Sequence, residues 1–156
     1  PEPGGESLGQ APCPSYTDTE KRYMTDYFHL HAEPDEIRAV SSLGLAHLGD
    51  GVFELMVRSW LVLHGKATSR GLHKATVHFV AAPAQAAMAK KLGGVLTEEE
   101  QDVFRRGRNT SPHTIPKAAS REEYQTATAL EALFGYLYLQ GRTDRLNELF
   151  TLMMEE

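Results

Sequence analysis

The stretch LGLAHLGDGVFELMVRSWLVL, residues 43–63, is the longest apolar run in the chain, and it carries a carboxylate, Asp50, in its middle. Leu45, Leu48, Val52 and Met56 recur at helical spacing, while Phe53, Leu55, Val57, Trp60, Leu61 and Val62 occupy the other sides. The pattern predicts a helix apolar nearly all round, and therefore buried. It does not predict a membrane span, because Asp50, Glu54 and Arg58 interrupt the run and each is expensive in lipid. A charged Asp inside a buried helix costs on the order of several kcal/mol unless it is paired, protonated or bound to a metal. Gly49 and Gly51 flank Asp50 although each loses about 1 kcal/mol of helix propensity relative to Ala, which predicts that another backbone or a ligand comes close there. The plainer alternative is an Asp50 paired with an arginine such as Arg58.

Around this helix lies a chain of 156 residues, the size of one domain with a real core. It has no initiator Met, and no apolar signal or transit segment precedes the first charged residues, so the expectation is a soluble, cytoplasmic protein with no membrane partner. The single Cys13 cannot form an internal disulfide and offers no cysteine metal site. A net charge of -5 argues against nucleic-acid binding through overall charge, yet residues 58–117 hold ten Lys/Arg against four acids, a net of +6 that leaves -11 on the remainder. Such a dipolar chain can offer one face to a polyanion and stay soluble through the other.

Residues 1–19, with four of the eight prolines, predict a disordered N-terminal tail, leaving residues 20–156 as the folded domain. A short amphipathic helix is expected over residues 20–31, ended ahead of Pro34. Pro34 then opens a short segment leading to the central helix, with Ser41 or Ser42 as its cap. A next helix turns Leu72, Ala75, Thr76 and Phe79 inward and Arg70, His73, Lys74 and His78 outward; Pro83 opens a third segment ended by Gly93-Gly94. Thr97 with Glu100, and Ser120 with Glu123, are capping-box signatures for two further helices, the first ending in Arg105-Arg106-Gly107-Arg108-Asn109 and the second at Gln140 before Gly141. Residues 110–119, TSPHTIPKAA, read as an exposed loop, and Thr143 starts a last helix. No stretch alternates with period two for long enough to make a strand, so the fold class is all-α. A lone domain of this size has too few helices to cover the central one, so some of Leu45, Phe53, Val57 and Leu61 should be buried by a second subunit in a twofold dimer.

Glu131 sits beside the apolar stripe Ala127, Leu130, Phe134, Leu137, one turn before Gly135, and is expected to be largely buried and closely approached. Two buried acids, Asp50 and Glu131, cannot offset one another if their helices pack, and a divalent cation between them is the cheapest solution. Oxygen donors without cysteine point to magnesium, with manganese as the alternative, rather than zinc. The seven histidines include no HExxH-type spacing. A carboxylate-held magnesium ion near a basic surface fits phosphodiester hydrolysis.

LGLAHLGDGVFE, followed by RRGRN, PK and TALEALFGYLYLQGR, closely resembles the bacterial Mini-ribonuclease III family, stand-alone relatives of the ribonuclease III catalytic domain. The resemblance covers about residues 38–150, with four motifs in order. It implies an all-α ribonuclease III catalytic (endonuclease) fold, a homodimer, magnesium-dependent cleavage of double-stranded RNA, and maturation of 23S ribosomal RNA precursor. The family's catalytic, metal-binding acids fall at Asp50 and Glu131. Full-length ribonuclease III enzymes have further acids where this chain has Leu43, Ala46 and Thr128, which leaves fewer charges to hold a second ion. No room remains after Glu131 for a double-stranded RNA-binding domain, so RNA is expected to be gripped by Arg70, His73, Lys74, Arg105, Arg106, Arg108, Asn109 and Lys117. The competing readings are a non-catalytic RNA-binding or ribosome-associated protein of the same fold, and a plain helical interaction domain with Asp50 and Glu131 merely salt-bridged.

Overall fold

The computed structural model describes residues 17–18, 24–65, 68–110 and 117–155. Seven helices lie wholly within them: α1 (Pro34–Arg38), α2 (Ser42–Leu63), α3 (Ser69–Val80), α4 (Ala82–Lys90), α5 (Glu98–Arg108), α6 (Arg121–Leu139) and α7 (Thr143–Met154). No strand occurs among the described residues, as the periodicity predicts. The helix starts follow the capping chemistry. Ser41 Oγ accepts from the Gly44 amide at 3.0 Å, and reciprocal capping boxes close α5 through Thr97 and Glu100 and α6 through Ser120 and Glu123. Each box satisfies two amides that have no partner inside the helix.

Three expectations are corrected. Residues 24–31 are not helical; the Asp26 carboxylate instead accepts from the Phe28 amide at 3.0 Å, and a side chain that bonds its own backbone two residues on favours a turn over a helix. The rest of the expected first helix, residues 20–23, lies outside the described residues, as does nearly all of the expected tail. Second, α2 is not buried all round. Leu45, Ala46, Gly49, Phe53, Val57 and Leu61 form its buried stripe, whereas Leu55 is 54 % and Val62 62 % exposed. Third, Leu45, Phe53, Val57 and Leu61 are covered by their own chain, because the innermost helix is α6 rather than α2. It buries Ala127, Ala129, Leu130, Ala132, Leu133, Phe134, Gly135 and Leu137, and α2, α4, α5 and α7 all pack on it.

The α2–α6 crossing has no side chains at its centre. A β-carbon at Gly49 would lie 1.6 Å from the Glu131 carbonyl oxygen, and one at Gly135 2.0 Å from the Leu45 carbonyl oxygen, so the two backbones touch where only glycine fits. Beside this contact Phe53 meets Phe134 edge to face at 5.7 Å between ring centres and Phe150 of α7 at 6.2 Å, which adds oriented aromatic contacts to the area buried. At the far side Arg145 of α7, whose side chain is 14 % exposed, forks onto the 6 % exposed Glu100 carboxylate of α5 at 2.8 and 2.9 Å and onto the Val95 carbonyl. This buried pair holds the Glu100 carboxyl below its usual range. No helix among the described residues is long and apolar enough to cross a membrane.

Candidate active site

The glycine crossing brings Asp50 and Glu131 together. Gly49 faces the Glu131 backbone, and Asp50, about 100° further round α2, turns to the open edge of the crossing. Asp50 is accordingly exposed and Glu131 half-buried, which corrects the expectation of two deeply buried acids: the pair sits at a surface. Among the described residues no Lys, Arg or His nitrogen lies within ion-pair distance of either carboxylate, and Arg58 pairs with Glu54 at 3.7 Å instead. The Arg58 alternative is thereby set aside, and no cation among the described residues pairs with either acid as the salt-bridged reading requires. Gly51, expected to be closely approached, has nothing among the described residues within 4 Å of where its β-carbon would stand.

Unpaired, the two carboxylates oppose each other. Burial, then the Asp50 charge, push the Glu131 carboxyl from 4.5 up to about 7 against a lowering hydrogen bond from Gln85. Asp50 is raised by burial and by Glu54, with His47 acting the other way. An acid held near neutrality by a like-charged neighbour is where a divalent cation gains most. The donors are oxygens only. Among the described residues no group of three or more His, Cys, Asp or Glu could hold a metal ion, so two carboxylates would supply the ligands, with waters and phosphate oxygens completing the shell. That suits magnesium, which commonly takes one or two carboxylates and keeps several waters.

A third side chain, which sequence reasoning missed, completes the cluster. Gln85 of α4 is 1 % exposed, and its Nε2 donates to the Val80 carbonyl at 2.8 Å and to Glu131 Oε1 at 3.2 Å. Its own Oε1 is buried without a hydrogen-bond partner. Turning the amide over would set oxygen against two oxygens, so this orientation is forced; leaving the carbonyl unpaired costs about 1–3 kcal/mol. The signal was the one uncharged polar residue in the otherwise small and apolar opening of α4, APAQAAM. The places where full-length ribonuclease III enzymes carry further acids contribute no charge here: Leu43 is exposed, Ala46 buried, and Thr128 Oγ1 donates to the Tyr124 carbonyl at 3.0 Å.

The eight predicted RNA-contacting residues are all exposed. Arg70, His73 and Lys74 lie on α3, which packs on α2 and α4. Arg105, Arg106 and Arg108 end α5, with Asn109 as its C-cap. Gly107 sets how closely that basic end packs on α6: its β-carbon would stand 2.9 Å from Ala132 Cβ and 3.0 Å from Ala129 Cα, so the backbone of RRGRN rests on the turn of α6 that includes Glu131. Arg105 and Arg106 share Asp102, the latter at 3.1 Å, and Arg108 lies 4.0 Å from Glu122. These exposed pairs are weak enough for phosphate to displace.

A family model described as "Ribonuclease III domain" matches residues 43–142. The chain is 48% identical over 106 residues to the Mini-ribonuclease 3 of Symbiobacterium thermophilum, covering 68% of this chain and 82% of that protein. It is 41% identical over 119 residues to the Mini-ribonuclease 3 of a Thermoanaerobacter species, covering 76% and 84%. An X-ray crystal structure of a Fusobacterium nucleatum protein superposes with a TM-score of 0.69 at 32% identity, over 76% of this chain and 95% of that one.

The carboxylate pair has a pH signature. Because the folded Glu131 carboxyl titrates near 7 and its ordinary value is 4.5, its contribution to stability is complete below about pH 4.5 and is lost as pH rises through about 7. Calorimetry without divalent cations should show the melting temperature of the wild type falling across that interval more steeply than that of Asp50→Asn, which lacks the repelling charge. Magnesium added at pH 7.5 should raise the wild type and leave Asp50→Asn nearly unmoved. Equal pH slopes in the two proteins would show that the acids do not interact.

Proposed function

This chain belongs to the ribonuclease III family, in its Mini-ribonuclease III branch, and is an endoribonuclease of that type; from that premise we propose that it cleaves double-stranded RNA with a magnesium ion held by Asp50 and Glu131. We assign the catalytic domain to residues 20–156 and the natural task to maturation of 23S ribosomal RNA precursor, in the cytoplasm. The observation that carries the reading is the meeting of these two like-charged, unpaired carboxylates at a surface, in the two motifs of strongest resemblance. When bound, such an ion supplies Lewis-acid activation of water and offsets charge on the phosphoryl oxygens. Manganese offers the same oxygen-ligand chemistry.

The chain's own part is positioning. The Gly49–Gly135 contact fixes the spacing of the acids, and misplacement by about 1 Å is enough to cost on the order of 100-fold in rate. Arg105, Arg106 and Arg108, against the Glu131 turn, would take phosphates and sugars of A-form RNA, with Asn109, Lys117, Arg70, His73 and Lys74 extending the grip. Such a duplex is read mostly by its shape.

A second copy of the chain supplies the second cut. Exposed apolar surface remains along α2, in a groove of about 370 Å³ lined by Phe28, Leu48, Val52, Leu55, Met56 and Tyr138 and floored at Gly51. Gly51, which nothing among the described residues approaches, lets another backbone come close. A twofold pairing of this groove sets two sites on one duplex, one for each strand.

Four measurements test this reading. Asp50→Asn and Glu131→Gln should fold and bind duplex RNA while losing most cleavage at every magnesium concentration, and mapped ends of digested 23S precursor should show paired cuts on opposite strands. Wild-type rates from folded Asp50→Asn would place the chemistry elsewhere, and binding without any cleavage by the wild type would make it a non-catalytic member. Replacing Arg105 and Arg108 by Ala should weaken RNA binding and reduce the salt slope by roughly one unit or less for each phosphate no longer neutralised; an unchanged slope and affinity would remove these residues from the interface. Leu55→Lys should turn a dimer at micromolar concentration into a monomer by light scattering, and a wild-type monomer with full activity would overturn the dimer.

A further inference from the structure

We propose that Gln85 is a positioning residue for cleavage: its side-chain amide holds the Glu131 carboxylate in one orientation and thereby sets the affinity of the acid pair for a divalent cation. The inference rests on the assignment of Asp50 and Glu131 as the metal-holding acids and adds a residue that acts through one of them.

The geometry starts at a helix break. Pro83 lacks an amide proton, and its ring would clash with the carbonyl of residue 79 in a continuous helix, so α3 ends at Val80 and Ala81 turns extended, at φ -65° and ψ 144°. The carbonyls of a last turn have no acceptor role inside their helix, and that of Val80 takes one Gln85 N–H at 2.8 Å. The other N–H points to Glu131 Oε1 at 3.2 Å. Both donors are spent, one on fixed backbone and one on the acid, so the amide plane cannot rotate without breaking both bonds. It therefore transmits the rigidity of the α3–α4 break to a side chain on α6.

The bland alternative is a packing residue. The neighbouring buried positions of α4 are Ala86, Met88 and Ala89, and an apolar side chain at position 85 would fill the same space without burying the unpaired carbonyl of Gln85. Capping Val80 alone needs only one of the two N–H groups. What the glutamine adds over either role is a donor that fixes the orientation of a carboxylate. Hydrogen bonds to metal-holding carboxylates orient them, and removing one typically lowers metal affinity by about 10-fold or more.

The test is manganous ion alone, its binding to the RNA-free protein followed by loss of the free-ion paramagnetic resonance signal. Gln85→Met keeps length and apolar volume without a donor. It should retain helix content and cooperative melting, bind manganese about 10-fold more weakly, and need correspondingly more magnesium for half-maximal cleavage. In a Glu131→Gln background, where the acid is already gone, Gln85→Met should weaken binding no further. Gln85→Leu serves if the methionine variant does not fold, and in the wild type the Gln85 side-chain amide resonance should shift as magnesium is added. Unchanged manganese affinity in a folded Gln85 variant, an equal weakening with and without Glu131, or an amide signal blind to magnesium would each overturn the proposal. Manganese affinity indifferent to Glu131→Gln as well would instead overturn the assignment of the acids beneath it.

Discussion

The contact between Gly49 and Gly135 is the constraint on which the site depends. Two helices whose backbones touch at one point cannot slide or roll there, because each glycine is lodged against a carbonyl of the other helix. Every side chain near the crossing inherits its position from that point. Asp50 follows Gly49 by one residue and Glu131 precedes Gly135 by one turn, so the acids meet for the same reason that the helices do. The glycines give up helix propensity and return a fixed spacing between two charges.

Those charges make the site a place of local conflict. Elsewhere the structure neutralises what it buries, as in the fork of Arg145 onto Glu100, where a desolvated acid receives two guanidinium hydrogen bonds and stays ionised. At Glu131 burial is answered only by one amide, and a like charge is added. The same chain thus treats a buried and a half-buried glutamate in opposite ways. The difference separates a group that ties helices together from one left with an opposed charge.

The basic end of α5 and the apolar face of α2 are two further uses of the surface of a small domain. Gly107 lets RRGRN lie close on α6, where Arg105 and Arg106 pair with Asp102. The buried stripe of α2 faces α6, and the opposite side of that helix keeps Leu55 and Val62 in the open. One helix therefore serves the core, the acid pair and an exterior face by successive rotations of about 100° per residue.

Local chemistry in the sequence by itself determined the starts of α5 and α6, since Thr97 with Glu100 and Ser120 with Glu123 state their capping boxes in four residues each. It determined Asp50 and Glu131 as the notable acids, because a carboxylate in an apolar helix beside glycine is unusual wherever it is read. It could not rank the helices by depth. The run at residues 43–63 is the more apolar to the eye, yet α6 is innermost, because burial depends on how many neighbours surround a helix and hydrophobicity supplies only one side of that contact. For the same reason it could not show that Asp50 reaches the surface while Gly49 does not, nor that Asp26 ties residues 26–28 into a turn. Gln85 lay furthest from view: 46 residues separate it from Glu131, and only the break at Ala81 and the packing of α4 on α6 bring an amide to that carboxylate.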